Sequence, residues 1–133
     1  MVYFPNDDSS SVNSAKELID KMFDCDLKRT KQFSTFDLKD NIKKVIVEVK
    51  KRNNEYDKYP TTMIGENKYI RANHYYKKDY KVLFVFIFTD GTYYYEYYGE
   101  DMKAKIGGRR DRGIKEYKNY IYIPITKLKK IEV

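Results

Sequence analysis

The stretch Val45-Ile46-Val47-Glu48-Val49-Lys50-Lys51 places an acid and a lysine, two positions apart, inside a run that is otherwise β-branched. β-Branched side chains favour extended backbone, so a strand is predicted here. Successive side chains of a strand point to opposite faces. Val45, Val47 and Val49 then share one face, and Ile46, Glu48 and Lys50 the other. A charge in such a run costs free energy unless it is paired or bound to a metal. Glu48 and Lys50 therefore call for a chemical explanation.

Working outward, residues 31–38 (Lys-Gln-Phe-Ser-Thr-Phe-Asp-Leu) and 44–51 read as two strands of a hairpin around the polar Asp40-Asn41. If Asn41 to Lys44 form a four-residue turn, Asp40 pairs with Val45 and Asp37 lies directly opposite Glu48. A two-residue turn loses that alignment. Opposed residues share a face with Cβ atoms roughly 4.5–5.5 Å apart, close enough to hold one metal ion between two carboxylates. Without a cation the same pair repels.

The bare pattern of an acid two places before a lysine says little, because it occurs seven times, beginning at Asp26, Asp37, Glu48, Glu66, Asp79, Asp101 and Glu116. Only Glu48 sits inside an apolar strand pattern. Magnesium needs hard oxygen ligands and keeps several waters, which suits a pair such as Asp37 and Glu48. Lys50, one pleat further along the same face, would stand beside a metal-bound water, where it can orient that water or stabilise charge on a phosphate.

Elsewhere the chain alternates helix and strand signals. Ser14 and Glu17 make a capping box ahead of Ala15, Leu18, Ile19, Met22 and Phe23 at helical spacing, predicting a helix over about 15–24. Residues 1–13 are expected to be a flexible tail, with one domain over 14–133. A second helix is predicted from Thr62, its cap, to about Lys77, with Tyr69, Ala72 and Tyr76 facing inward. Val82 to Phe88 is apolar throughout and predicts a central strand covered on both faces. Asp90-Gly91 turns the chain into an antiparallel neighbour over 92–98. A polar, glycine-rich loop at 99–113 precedes a last strand at about 119–124. The fold class is α/β (α+β), a mixed central sheet flanked by helices in the order α-β-β-α-β-β-β.

Phe36-Asp37, ten intervening residues, then Glu48-Val49-Lys50 in a strand, with a helix before and a helix and strands after, resembles the PD-(D/E)XK nuclease superfamily and its restriction-endonuclease-like core. The resemblance covers roughly residues 14–98. It implies Asp37 and Glu48 as metal ligands, the Val49 carbonyl as a further ligand, Lys50 as the catalytic lysine, and Mg²⁺ as cofactor with Mn²⁺ able to substitute. Phe36 replaces the proline of the name, and the second helix lacks the glutamine-to-tyrosine motif of the exonuclease-like branch. The implied activity is that of a metal-dependent endonuclease or deoxyribonuclease, with a non-catalytic nucleic-acid-binding protein of the same fold as the alternative. Glu17 is a candidate to join the site from the first helix, against its plainer role in the capping box. Lys68 is a candidate to reach a phosphate near the metal.

Composition agrees with an anionic partner. The 133 residues carry a net charge of +7, and nucleic acid ranks ahead of membrane because no basic amphipathic helix stands out. Lysine outnumbers arginine 21 to 6, a bias that AT-rich coding also produces, as in a phage, a large virus or an AT-rich microbe. Candidate DNA contacts are Lys51 and Arg52 leaving the strand, Lys68 and Arg71 on the second helix, and Lys103, Lys105, Arg109, Arg110 and Arg112 in the basic loop. A domain of this size covers little duplex, so cutting both strands points to a homodimer. One cysteine, Cys25, excludes an internal disulfide and fits an intracellular, reducing compartment. His74, the only histidine, has no partners at zinc spacing.

Overall fold

The computed structural model describes residues 9–31, 34–100, 105–109 and 116–132. In chain order its elements are α1 (Ser9–Phe23), β1 (Lys28–Arg29), β2 (Leu38–Asp40), β3 (Val45–Lys51), β4 (Thr61–Gly65), α2 (Glu66–Tyr76), β5 (Lys81–Phe88), β6 (Gly91–Tyr97), β7 (Lys105–Arg109), β8 (Glu116–Pro124), a 3₁₀ turn (Ile125–Lys127) and β9 (Lys129–Lys130). Two sheets result, one ordered β1-β2-β3-β5-β6-β9 and one ordered β4-β8-β7. Among the described residues only β3 and β5 pair in parallel, with Val47 opposite Leu83 and Lys50 opposite Phe86. A parallel pair needs a long crossover, which residues 52–80 supply through β4 and α2. This mixed α+β architecture matches the restriction-endonuclease-like class read from the sequence.

The alternation of β3 divides the interior into two cores. Val45 and Val47 pack with Val12, Ala15 and Ile19 of α1 and with Leu83 and Val85 of β5. On the other face, Ile46, Phe84 and Phe86 pack with Ala72 of α2 and with Ile64, Ile121 and Ile123 of the second sheet. β5 is covered from both sides, as its unbroken apolar run requires. The tyrosines of β6 are packing residues. Tyr95 and Tyr97 are buried, Tyr93 and Tyr94 lean on the two cores, and Tyr98, one residue beyond the strand, is 61% exposed.

Several boundaries differ from the sequence reading, each for a packing reason. α1 starts at Ser9 because Val12 already belongs to the buried stripe. Ser14 is therefore inside the helix and the capping box does not form its start; of the tail expected over 1–13, residues 9–13 are helical, and residues 1–8 lie outside the described residues. Of the strand expected over 31–38, residues 32 and 33 lie outside the described residues and only Leu38 belongs to β2, because the chain bends at residues 35–37 and buries Phe36 against Phe84 and Tyr75. Thr62 caps no helix. It lies in β4, where burial alternates with Thr62 and Ile64 inward, and α2 begins after Gly65. In α2, Ala72 is fully buried but Tyr76 remains 38% exposed.

Further along, Gly91 pairs with Phe88, so the hairpin turn is Thr89-Asp90 and not Asp90-Gly91. The loop expected over 99–113 contains β7, which pairs with a last strand that starts at Glu116.

Candidate active site

The β2–β3 hairpin is set by its turn. Asp40 accepts the amide hydrogens of Ile42 and Lys43, both at 2.9 Å, which wraps residues 41–44 into a four-residue turn. The Lys43 amide first, then the Asp26 amide at 2.8 Å and that of Ile42, hold the Asp40 carboxyl below the usual carboxylate range. Lys44 closes the turn in the left-handed region at φ 55°. The register is then Asp40 to Val45, Lys39 to Ile46 and Leu38 to Val47. The ladder ends at Leu38, and Asp37 beside it keeps its amide on the Val47 carbonyl while its carboxyl meets that of Glu48.

Asp37 is held on β3 from three directions. Its amide donates to the Val47 carbonyl at 3.0 Å, its carbonyl accepts from the Thr30 amide at 3.0 Å, and its Oδ2 accepts from the Val49 amide at 2.8 Å. The N–H and C=O of one strand residue point to the same edge. The Val49 carbonyl therefore also faces the Asp37 side, away from β5.

Glu48 is 3% exposed, on the same face as Phe84's neighbours in the second core. Burial, then the hydrogen-bonding and charge of the facing Asp37 carboxylate, push its carboxyl up to about 8. Lys50 and Lys68 pull the other way and are outweighed. Lys68 Nζ stands 2.6 Å from Glu48 Oε2 and donates to the Thr35 carbonyl. Oε2 is nevertheless buried without a hydrogen bond of proper angle among the described residues, so charge alone answers it. Lys68 reaches this place because Ala72, one turn further along α2, anchors that face of the helix in the core.

The structure thus brings Asp37, Glu48, Val49, Lys50 and Lys68 together. Lys50 is half-buried, one pleat beyond Glu48, with no hydrogen bond or ion pair among the described residues. Two facing acids, one buried and holding its proton to high pH, fit a hard divalent cation, whose charge would favour the ionised form of both. Among the described residues, no group of three or more His, Cys, Asp or Glu side chains converges. Two carboxylates with waters are a usual magnesium set.

Other predicted positions fall elsewhere. Glu17 is exposed on α1, which packs through Val12, Ala15 and Ile19 over the opposite face of the sheet, so it does not reach Glu48. Arg52 is engaged internally rather than presented to solvent. Its Nε donates to Thr62 Oγ1 at 3.3 Å, its Nη2 donates to the Met63 carbonyl, and its guanidinium lies 5.7 Å from the Phe86 ring centre. Lys51 and Arg71 are exposed, Arg71 lying over Tyr75. Lys105 and Arg109 belong to β7, whereas Lys103, Arg110 and Arg112 lie outside the described residues. Cys25 is a poor nucleophile, its thiol pushed up to about 12 by burial and then by Asp20. His74 is exposed on α2.

Sequence reading did not single out the basic groups around β1 and β2. Lys28, Arg29, Lys31, Lys39 and Lys43 border a hollow of about 1140 Å³. Lys39 lies over the rings of Tyr75 and Tyr80. A lysine-rich chain offers no local signal for such a grouping, because the strand pairing creates it.

Compared with known proteins, residues 2–131 match the family described as "Phage putative PDDEXK endonuclease". No curated protein and no solved structure matches the chain.

Proposed function

The chain belongs to the phage PDDEXK endonuclease family, and from that membership and its carboxylate pair we propose that it hydrolyses phosphodiester bonds in DNA with a bound divalent cation. The observation that carries this reading is Glu48, buried to 3% exposure and facing Asp37 with its carboxyl pushed up to about 8. Buried acids shifted by a facing acid mark functional sites, and a cation placed between these two would favour their charged forms.

Asp37, Glu48 and the Val49 carbonyl would hold Mg²⁺, or Mn²⁺ in its place. Such an ion supplies Lewis-acid polarisation of the phosphate and a more acidic water. The Val49 amide fixes Asp37 so that its carboxylate is aimed before any ligand binds. Glu48 gives up its proton as it takes up that role. Lys50 orients the attacking water and offsets the negative charge that grows on the phosphate as the water oxygen bonds phosphorus and the sugar oxygen departs. Lys68 ties the bend before Asp37, through Thr35, to Glu48. Lys51, Arg71 and the basic segment around β7 hold the DNA backbone. Cutting both strands takes two copies of the chain. The free Cys25 thiol suits a reducing, intracellular setting.

The test is cleavage of supercoiled, linear and branched DNA in Mg²⁺ or Mn²⁺ by wild type, Glu48→Ala and Lys50→Ala. Metal-dependent cutting that falls by roughly 10²-fold or more in both variants is expected. Cutting that survives in both sinks the assignment, and binding without cutting by wild type identifies a non-catalytic binder.

A further inference from the structure

We infer that a second cleft, beside the exit of β3, is a nucleobase pocket, and that the substrate is DNA carrying an unpaired nucleotide near the cut. This rests on the nuclease reading of Asp37, Glu48 and Lys50. The cleft measures about 660 Å³, within the roughly 300–1,000 Å³ of small-ligand sites. Its walls include Lys51 and Asn53 just past Lys50, Tyr59 before β4, and Tyr122 of β8, over Phe88.

Three features select the ligand. Among the described residues no aspartate or glutamate borders the cleft, while Lys51 and Arg52 do, so an anion is favoured. Arg52 is spent on Thr62, Met63 and Phe86 and makes the wall rigid. Among the described residues, the Asn53 amide and the Tyr122 hydroxyl have no hydrogen-bond partners, and the Tyr59 side of the cleft is open, the ring of that residue, 52% exposed, being available for stacking. An anion with a planar, hydrogen-bonding heterocycle is a nucleotide, with its base stacked on tyrosine and its edge read by the amide. The larger hollow beside β1 and β2 is less selective, because Asp24, Asp26 and Asp40 border it among its lysines.

Position and magnitude decide which nucleotide. Arg52, bordering the cleft one residue past the end of β3, follows Lys50 by two residues, roughly 7 Å of extended chain and about the spacing of neighbouring phosphates. The base entering the cleft therefore belongs to a nucleotide next to the one attacked. A base inside a duplex must first lose its pairing and stacking, which contact with one or two tyrosines does not offset, whereas a bulged, flapped or single-stranded base enters without that cost.

The experiment uses the Glu48→Gln chain in EDTA, which binds without cutting, and fluorescence anisotropy with labelled blunt duplex, bulged duplex and flapped DNA. Tyr59→Ala and Asn53→Ala should each weaken bulged and flapped DNA by about 10-fold, with blunt duplex changed less than twofold. Tyr59→Phe should retain binding, and circular dichroism should show every variant folded. A 2-aminopurine at the unpaired position should be quenched on binding, and less so in Tyr59→Ala. Equal losses on blunt duplex, or no loss on any DNA, overturn the pocket. A wild-type chain that binds bulged DNA through Tyr59 yet never cuts supports the pocket and counts against the nuclease reading instead.

Discussion

Glu48 is subject to opposed demands. Its neighbours in β3 are apolar and bury it, while Lys50 and Lys68 favour its charged form, and burial with Asp37 wins. An acid whose folded pKa of about 8 lies above its ordinary 4.5 binds more protons folded than unfolded across that range. Its stabilising effect is complete below about pH 4.5 and is lost as pH rises through about 8. In EDTA the melting temperature should therefore fall between pH 5 and 8.5. In Glu48→Gln that slope should flatten, and Mg²⁺ at pH 8 should raise the melting temperature of wild type but not of the variant; scanning calorimetry reads all three. Lys68→Met removes the charge beside Glu48 and the tie to Thr35, and should cost about 1–3 kcal/mol in urea unfolding. Glu48 and Lys50 were legible as a pair because strand alternation is local. The Lys68 contact joins residues from different elements, and only the packing of Ala72 sets it.

At the scale of elements, the hairpin turn decides the site. Asp40 builds a four-residue turn, and the turn length fixes which side chain meets Glu48. Deleting Ile42, which is 92% exposed, should turn Asp37 to the other face. Helix content should persist in circular dichroism, while Mg²⁺-dependent cleavage and thermal shift disappear. The bend at residues 35–37 was not legible, since Phe36 and Leu38 alternate as a strand would. Phe36 instead packs beneath α2, against Tyr75 and Phe84. Phe36→Ala should cost about 3–5 kcal/mol and reduce cleavage in the same preparation, because the buried ring is what anchors the approach to Asp37.

For the whole molecule, the second sheet is the larger addition to the sequence reading. β4 pairs with β8, joining Ile64 to Ile121 across the chain. Residues 61–65 read as a helix start because no local rule reports a partner so distant. Arg52 spans the two sheets, from the end of β3 to Thr62 and Met63 of β4. Arg52→Ala should therefore destabilise by about 1–3 kcal/mol in chemical unfolding, beyond any change in DNA binding. A lysine held only by solvent would show the reverse pattern.

By itself the sequence determined the central strands, the split of β3 into a valine face and a face carrying Glu48 and Lys50, and the four-residue turn that brings Asp37 towards Glu48. Each depends on period-two alternation or on a neighbouring turn, so each is local. Tertiary structure alone decided that α1 lies across the sheet from Glu48, which removes Glu17 from the cluster, that Lys68 stands beside Glu48, and that Arg52 faces inward. Those outcomes follow from which apolar surfaces meet when the layers close, and burial sums over the whole chain.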